Sequence, residues 1–535
     1  MTTPDPTAIR VRMAPSPTGP LHIGTARTSL YNYLFARATG GTYVLRIEDT
    51  DLARSTPEFE HDILDNLHWL GITWDEGPQA AGGEDIGPFG PYRQSLRMDR
   101  YAREADRLLI SGAAYHCWCT LEELDAVRRE QEANRESPRY NGRCLRLTDA
   151  DRAAFEAEGR RPAVRFRVPP ETIRFDDLIR SEVEFDNALL GDFVIVRADG
   201  VPLYHFVVVI DDEQMDISHV IRGEEWISSA PKHVWLFEAF GWEPPVFVHV
   251  PVIKGKDGAK LSKRHGDTRC LDFRAAGYLP EAMANFIALI GWAPGGDREL
   301  MSMSEMEEAF DLMGLQPSPG IFDPDKLKWM NGHYIRELPA HELAVRLRDY
   351  LAHPDTEEYW SRPEHSDPQF SEGLALLKGA LTSGVSNLSD RSDLSDISES
   401  EWTQSSYVVE ALALEQPRVH TLPEFGPACE FFFQEEPPLE PTAVEKWFGE
   451  PHVPDLFGKV VLWLEDKAEV GVEECEAVLR GYAEENGFEK LGPIVHPVRV
   501  ALTGKTVGPG LFELMSLLGP ERMKRRLVRA RKLVS

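Results

Sequence analysis

Residues 9–37, IRVRMAPSPTGPLHIGTARTSLYNYLFAR, combine a strand, a rigid turn and the start of a helix in one short segment. The first five residues alternate apolar and basic side chains, which predicts a short strand. Prolines and glycines then interrupt the chain, and beyond Gly24 apolar residues recur at helical spacing. A turn leading into a helix presents unpaired backbone N–H groups and the positive end of the helix dipole, which favours phosphate binding. His22 lies at the mouth of this turn and is a candidate contact for a phosphate or ribose oxygen.

The bulk composition describes a large, acidic chain. Its 535 residues are too many for a single core, so we expect several domains. No apolar run approaches the roughly 18 residues of a membrane helix, so we expect no membrane partner. Six cysteines in so long a chain indicate a reducing cytoplasm rather than a disulfide framework. The net charge of −30 argues against nucleic acid as a partner, but acidic proteins can also bind RNA through a basic track on one face.

A second strand that ends in acids is predicted where residues 43–51 read YVLRIEDTD. Residues at the ends of parallel strands point into the ligand crevice of a doubly wound sheet. Glu48 is therefore a candidate to bind an ammonium group, and Arg12 and Arg46 are candidates to bind a carboxylate. The alternative is a solvated charge cluster with no ligand.

Hydrophobic periodicity predicts the coarse secondary structure of the rest of the chain. Residues 58–72 and 96–109 fit amphipathic helices, and residues 160–209 alternate like a β-rich insertion. We expect the chain to return to its main sheet at residues 203–212, LYHFVVVIDD, because this run is nearly continuously apolar, as in a strand buried on both faces. Beyond residue 334 the pattern is helical.

The spacing of three cysteines along the sequence indicates a metal site. Cys117 and Cys119 are separated by one residue, and Cys144 follows about two dozen residues later, a spacing typical of zinc sites. Three thiolates fall short of a closed tetrahedral set, so the alternative of three ordinary reduced cysteines stays open.

Residues 13–28, MAPSPTGPLHIGTART, closely resemble the first signature of class I aminoacyl-tRNA synthetases in the glutamyl/glutaminyl subfamily. RIEDTD follows at about the distance seen in that subfamily, and KLSKR, residues 260–264, resembles the second class I signature. A lone KLSKR is a common surface string, but here it lies far downstream of HIGT and after a predicted buried strand. Residues 323–335, 416–433 and 497–518 also resemble the family, so the resemblance covers nearly the whole chain.

The resemblance implies a multidomain α/β plus all-α fold. It implies a Rossmann-like parallel-sheet nucleotide-binding domain with an inserted α+β connective domain that grips the acceptor end of tRNA. Helical stem-contact and anticodon-binding domains would follow. The implied boundaries are 1–112 for the first half of the catalytic domain, 113–203 for the connective domain, 204–255 for the second catalytic half, 256–335 for the lysine loop and stem-contact domain, and 336–535 for the anticodon-binding region.

The resemblance also implies roles for individual residues. The lysines of the second signature would serve the adenylation of glutamate, because mobile ammonium groups can follow the negative charge that develops on departing pyrophosphate. Thr25 stands where the class consensus has histidine, so His22 is the firmer phosphate contact. The implied catalytic residues are His22, Lys260 and Lys263; the ATP site would comprise these with Ala14, Gly24, Thr25 and Ser262; and the glutamate site would comprise Arg12, Ser16, Glu48, Tyr204 and Arg222.

The family pattern bears on the cysteine cluster as well. Some members complete the zinc site with a histidine two residues past the third cysteine, where this chain has Arg146. Related enzymes use a tyrosine instead, which makes Tyr140 the fourth candidate ligand beside Cys117, Cys119 and Cys144.

Three features of the C-terminal half are interpreted separately. The resemblance implies that Arg418 reads an anticodon base. The Ser/Asp-rich stretch 383–400 departs from the family layout and is interpreted as a surface insertion or disordered loop. The basic run 522–532, RMKRRLVRARK, fits either an RNA backbone or the dipole of a final helix, and we favour the dipole.

The implied activity is that of a cytoplasmic, monomeric glutamate–tRNA ligase that uses ATP and Mg²⁺, with structural zinc possible and tRNA(Glu) and glutamate as partners. The nearest alternatives are a glutaminyl-tRNA synthetase and a non-discriminating glutamyl enzyme. A truncated relative that modifies a tRNA base is disfavoured, because this chain has an anticodon region. An alternative from another class is a catalytically inactive tRNA-binding paralogue.

Overall fold

The chain is described here from a computed structural model that covers residues 9–79, 83–186, 191–262, 264, 266–363, 365, 368–383 and 399–534. The described residues form two compact units, of which the first comprises the chain up to Leu271 together with Met283–Pro324. The second unit comprises Asp272–Ala282 and the chain from Asp325 onward. Most of the predicted Ser/Asp-rich insertion lies outside the described residues.

The strands of the described residues lie in the first unit, and apolar side chains from most of them form a large core with the helices around them. Within the described residues they are, in chain order, β1 Arg10–Met13, β2 Thr42–Leu45, β3 Ala114–Cys117, β4 Ala163–Phe166, β5 Ile173–Asp177, β6 Ser181–Phe185, β7 Phe193–Val196, β8 His219–Gly223, β9 Val246–Val250, β10 Ile253–Lys254 and β11 Gly320–Ile321.

The main sheet has the order β2–β1–β8–β9–β5–β6, in which every neighbouring pair is parallel except the β5–β6 hairpin. The chain leaves β1 toward β2 and returns on the other side of β1 as β8, so the strand order reverses between β1 and β8. Ligands of open α/β sheets bind in the crevice at the carboxyl ends of the strands on either side of such a reversal. A second, antiparallel sheet has the order β3–β4–β7.

Helices pack against both sheets and the adjoining segments. Thr120, Thr148 and Ser302 each begin a helix with a reciprocal capping box, which satisfies N–H groups that the helix itself leaves unpaired. The helices up to residue 309 are α1 Ile23–Thr39, α2 Pro57–Trp69, α3 Met98–Ser111, α4 Leu121–Ala133, α5 Asp149–Ala157, α6 Tyr204–Gln214, α7 Ala230–Phe240, α8 Cys270–Ala275, α9 Pro280–Ala288 and α10 Met303–Ala309.

The predicted strand over residues 203–212 is wrong, because this segment forms helix α6. A continuous apolar run has no period, so a strand buried on both faces and a helix buried all round give the same pattern. Residues 206–212 are all buried, which explains why no polar face marks the helix. The strand that continues the main sheet is β8. The helices predicted near residues 58–72 and 96–109 are confirmed as α2 and α3.

The second unit is helical in its described part, which confirms the helical pattern expected beyond residue 334. Apart from the helix Pro354–Ser361, its helices contribute to one apolar core that also includes Leu279 and Ala282. They are α11 Pro324–Glu337, α12 Ala340–Ala352, α13 Pro354–Ser361, α14 Pro368–Ser383, α15 Glu399–Glu415, α16 Phe425–Phe433, α17 Pro441–Trp447, α18 Val453–Trp463, α19 Val472–Glu485, α20 Gly492–Thr503 and α21 Leu511–Val534. None of the helices in the described part of the chain has the length and apolar content needed to span a bilayer.

The basic run at the C-terminus has a structural use that sequence analysis did not find. Arg526 in α21 is 1% exposed and donates to four backbone carbonyls near the ends of α16 and α20. Carbonyls at helix C-termini lack intrahelical partners, and a cation satisfies both their hydrogen bonds and their dipole. Burial lowers the pKa of Arg526 to about 10, so the side chain stays charged at neutral pH. The acceptors are the carbonyl oxygens of Leu502, Phe431, Gln434 and Glu435.

We predict that Arg526→Ala destabilises the second unit by about 3 kcal/mol or more, because buried carbonyls lose their donor without access to water. Urea unfolding followed by circular dichroism measures this. The matched control is Arg525→Ala, whose exposed side chain pairs with the exposed carboxylate of Glu435 and should cost less than about 1 kcal/mol. Equal losses in the two variants would contradict the structural role of Arg526.

Candidate active site

A cavity of about 290 Å³ lies at the carboxyl ends of β1 and β8, where the strand order reverses. Its wall combines the turn after β1, the first residues of α1 and the segment after β8. Most of the residues predicted for the glutamate and ATP sites meet here. They are Arg12, Ala14, Ser16, Gly24, Thr25, Glu48, Tyr204 and Arg222.

His22 is the N-cap of α1 and not part of the cavity wall. Its Nδ1 accepts a hydrogen bond of 3.0 Å from the backbone N–H of Gly24. Burial lowers the pKa of His22, and the nearby charge of Lys260 lowers it further. The imidazole is therefore neutral at pH 7, with its proton on Nε2 and available to an oxygen acceptor.

The segment that follows the lysine-rich loop pairs directly with the turn of the first signature. The backbone N–H of Ile23 donates to the Thr268 carbonyl at 3.0 Å, and the N–H of Cys270 donates to the Leu21 carbonyl at 2.9 Å. The fold thus brings the loop that contains Lys260 and Ser262 beside the N-terminus of α1. Lys263, the third predicted catalytic residue, lies outside the described residues, so its role stays a prediction.

A network of buried ion pairs fixes charged residues of the cavity wall. Asp212 of α6 accepts from Arg12 Nε at 3.1 Å and from Arg46 Nη2 at 2.8 Å. Arg46 also lies 3.3 Å from Glu48. Burial alone would raise the pKa of Asp212, but the charges of Arg12 and Arg46 hold it below its ordinary value. Arg46, expected as a carboxylate binder, is instead engaged by the protein's own acids.

The neighbouring carboxylate, Asp211, continues this network away from the cavity. It accepts from Arg97 Nε at 2.7 Å, from the Tyr101 hydroxyl at 2.8 Å and from Gln94 Nε2 at 2.9 Å. Neither aspartate was predicted as a site residue, because both end a segment that the apolar pattern marks as a strand. Two consecutive acids at the end of a buried apolar run were the available signal, since buried carboxylates require partners.

Glu48 is buried in the cavity wall, and its carboxyl group titrates close to neutral pH. Burial raises the pKa of Glu48 to about 7, against the opposing charges of Arg46 and Arg12. A carboxyl group in this state becomes fully charged when a cationic group binds beside it. The wall therefore offers a site for an ammonium group.

Arg222 at the end of β8 offers a site for an anion. Its Nε donates to His249 Nε2 at 3.0 Å, and its Nη1 donates to His233 Nδ1 at 3.1 Å. Its Nη2 is buried and has no hydrogen-bond partner within the described structure. A buried N–H group without an acceptor is costly, so this nitrogen marks a position for a ligand oxygen. Beside it Tyr204 packs on Trp226 with ring centroids 4.6 Å apart, and burial raises the pKa of Tyr204 to about 12.

The cysteine cluster has a geometry that fits zinc. The three Sγ atoms of Cys117, Cys119 and Cys144 lie within 4.8 Å of one another, and the Tyr140 hydroxyl lies 3.7 Å from the sulfurs of Cys117 and Cys119. Tetrahedral zinc with bonds of about 2.3 Å to sulfur places neighbouring donors about 3.8 Å apart. The predicted set of three thiolates and Tyr140 is therefore brought together.

Arg418, the predicted anticodon contact, lies in the second unit at the end of a short 3₁₀ turn. Its Nη1 is 3.7 Å from the carboxylate of Glu415. Burial raises the pKa of Glu415 to about 7, while Arg418, Lys505 and Arg499 act in the opposite direction. Base reading by Arg418 stays a prediction.

Comparisons with known proteins agree with this geometry. Residues 8–329 match the family described as "tRNA synthetases class I (E and Q), catalytic domain", and residues 376–531 match "Anticodon binding domain". The fold and the cavity therefore define a class I aminoacyl-tRNA synthetase.

Relatives that match nearly the whole chain identify the particular family within this class. The glutamate–tRNA ligase of Elusimicrobium minutum (strain Pei191) is 43% identical over 527 residues, which span 98% of this chain and 99% of the relative. That of Moorella thermoacetica is 42% identical over 523 residues, 98% of both chains. A crystal structure of the glutamate–tRNA ligase from Elizabethkingia meningosepticum in complex with its amino acid has a TM-score of 0.82 at 32% identity and covers 99% of this chain and 100% of that one. The chain belongs to the glutamate–tRNA ligase family.

Proposed function

We propose that this chain is a glutamate–tRNA ligase, which activates glutamate with ATP and transfers it to the 2′-hydroxyl of the terminal adenosine of tRNA(Glu). The observation that carries the proposal is the cavity itself. It combines the guanidinium groups of Arg12 and Arg222 with the carboxyl group of Glu48 beside the N-terminus of α1. A ligand with two carboxylates and one ammonium group complements these charges.

In the proposed complex, Arg12 binds the side-chain carboxylate of glutamate. Ser16 and Glu48 hold the ammonium group, and Arg222 with Tyr204 holds the α-carboxylate end. The unpartnered Nη2 of Arg222 supports this orientation, because a carboxylate oxygen would satisfy it. Asp212 supports the role of Arg12 by fixing its Nε and Nη2 with hydrogen bonds of 3.1 and 3.3 Å.

The proposed ATP site lies along the turn before α1. The backbone around Ala14, Gly24 and Thr25 and the Nε2–H of His22 would face the phosphates, as expected at a helix N-terminus. Lys260, Ser262 and Lys263 would meet the charge that develops on departing pyrophosphate when the α-carboxylate attacks the α-phosphate. Mg²⁺ bound with ATP would supply further neutralisation of the phosphate charge. Catalysis in this proposal is positioning and electrostatics, with no protein base required.

The remaining assignments extend the same proposal. We infer a cytoplasmic monomer with Arg418 near the anticodon, a structural zinc at the cysteine cluster, and the domain boundaries 112, 203, 255 and 335. The inclusion of β5 and β6 in the main sheet suggests that part of the range 113–203 belongs structurally to the catalytic domain.

Charging of purified tRNA(Glu) and tRNA(Gln) with glutamate, side by side, tests the function. Charging of tRNA(Glu) is expected, and charging of tRNA(Gln) as well would identify a non-discriminating enzyme. An inactive paralogue would charge neither tRNA and would give no ATP–pyrophosphate exchange with glutamate and tRNA present.

We predict that Arg12→Ala abolishes the preference for glutamate over glutamine, because a carboxylate buried without a cation costs several kcal/mol. Asp212 keeps Arg46 as a partner in this variant, so the fold should persist. The ratio of kcat/KM for the two amino acids measures the effect. Arg37→Ala, which removes a half-exposed partner of Asp75, is the control. An Arg12 variant that still prefers glutamate would refute the assignment.

We predict that the KM for glutamate rises about tenfold for each pH unit below about 7, because protonated Glu48 cannot pair with an ammonium group. The side-chain carboxyl of glutamate titrates near 4.3 and does not contribute between pH 5.5 and 7. Above pH 7 the KM should level off. Glu48→Gln should raise the KM and flatten this profile, and an unchanged profile in that variant would place the titrating group elsewhere.

We predict that the purified chain holds one zinc ion, measured by elemental analysis, and that Cys144→Ser reduces the zinc content to less than half. The sulfur and hydroxyl spacings of the cluster motivate this expectation. Cys475→Ser, in the apolar core of the second unit, is the matched control. Equal metal content in both variants would exclude the cluster as the binding site.

A further inference from the structure

A chain of hydrogen bonds runs through the first unit and holds Arg222 from two sides. Asp177 Oδ2 lies 2.7 Å from His249 Nδ1, and His249 Nε2 lies 3.0 Å from Arg222 Nε. On the other side, Arg222 Nη1 lies 3.1 Å from His233 Nδ1, and His233 Nε2 lies 3.1 Å from His205 Nδ1. All of these groups except His205 are nearly or fully buried.

We call this chain of hydrogen bonds from Asp177 to His205 the relay. The direction of every hydrogen bond in the relay follows from the chemistry of arginine, which can only donate. His249 must therefore accept at Nε2 and carry its proton on Nδ1, which donates to Asp177. His233 must accept at Nδ1 and donate from Nε2 to His205. Each histidine is neutral in this arrangement, and burial lowers the pKa of His233, His249 and, to about 4, His205.

Each member of the relay comes from a different element. Asp177 ends β5, His249 lies in β9, Arg222 in β8, His233 in α7 and His205 in α6. Asp177 is itself fixed, because its Oδ1 accepts from the backbone N–H groups of Ile179 and Arg180 at 3.0 and 2.9 Å. The guanidinium group is thus held at Nε and Nη1, and its Nη2 has no hydrogen-bond partner within the described structure.

We propose that His249 and His233 are positioning residues that fix the guanidinium plane of Arg222, so that its Nη2 meets the α-carboxylate of glutamate. This inference rests on the proposed function. A flexible arginine would lose side-chain freedom on binding substrate, whereas one held in advance does not. The neutral state of both imidazoles matters, because a protonated imidazole would donate toward a guanidinium group that has no acceptor.

The test is a double-mutant cycle on the full-length enzyme in the charging reaction with tRNA(Glu). His249→Ala should raise the KM for glutamate about tenfold, as expected when one charged hydrogen bond is misdirected, and leave the KM for ATP unchanged. His249→Gln, whose amide can accept from Arg222 and donate to Asp177, should restore most of the loss. In an Arg222→Ala background, His249→Ala should add almost nothing.

A second ligand distinguishes a misplaced Arg222 guanidinium group from general disruption of the cavity. The analogue of glutamate with a hydrogen atom in place of the α-carboxylate, 4-aminobutanoate, cannot be activated, offers no acceptor to Arg222 Nη2 and serves as a competitive inhibitor. Its inhibition constant should change less than twofold in His249→Ala. His233→Ala should behave like His249→Ala and provides the same test if that variant does not fold. His219→Ala, also in β8 but outside the relay, should change none of these constants.

The outcomes distinguish the inference from the function on which it rests. Full additivity of His249→Ala and Arg222→Ala would overturn the positioning role while leaving Arg222 in the glutamate site. Parallel losses in the KM for both substrates and in inhibitor binding would also overturn it, because they indicate general structural damage. An unchanged KM for glutamate in Arg222→Ala alone would overturn the placement of Arg222 in the site and the inference together.

Discussion

The pairing of Asp212 with Arg12 and Arg46 is the interaction on which the candidate site depends. It joins α6 to β1 and to the segment after β2 in one buried group, and Asp211 extends it to Arg97. Buried charges are tolerated only when they are paired and hydrogen-bonded. The two adjacent aspartates therefore fix where the arginines lie, and Arg12 reaches the cavity wall as a result.

The same arrangement explains how a chain with a net negative charge can bind an anionic substrate. The net charge of −30 describes the whole chain, but the cavity wall contains the two buried guanidinium groups of Arg12 and Arg222 together with the carboxyl groups of Glu48 and Glu225. Burial raises the pKa of Glu48 to about 7. Local charge, held in a site of low dielectric constant, decides what binds there. The helix N-terminus beside the wall adds a further position for negative charge.

Sequence alone predicted the parts of the site that lie in contiguous motifs. The strand, turn and helix of residues 9–37 and the spacing of the cysteines are local patterns, and the structure contains both. The failure at 203–212 has a physical cause, since a helix buried on all sides shows no amphipathic period. The relay could not be predicted from the sequence for a different reason. Asp177, His205, His233 and His249 are separated in sequence and meet only through the packing of β5, β9, α6 and α7 around β8.

The central claim is that two buried arginines, each oriented by the protein's own polar groups, bind the two ends of one glutamate. A crystal structure of this chain with glutamate bound tests it most directly. The account predicts the side-chain carboxylate within hydrogen-bond distance of Arg12 and an α-carboxylate oxygen at Nη2 of Arg222, with His249 and His233 still bonded to Nε and Nη1. Glutamate bound in the reverse orientation, or outside this cavity, would contradict it.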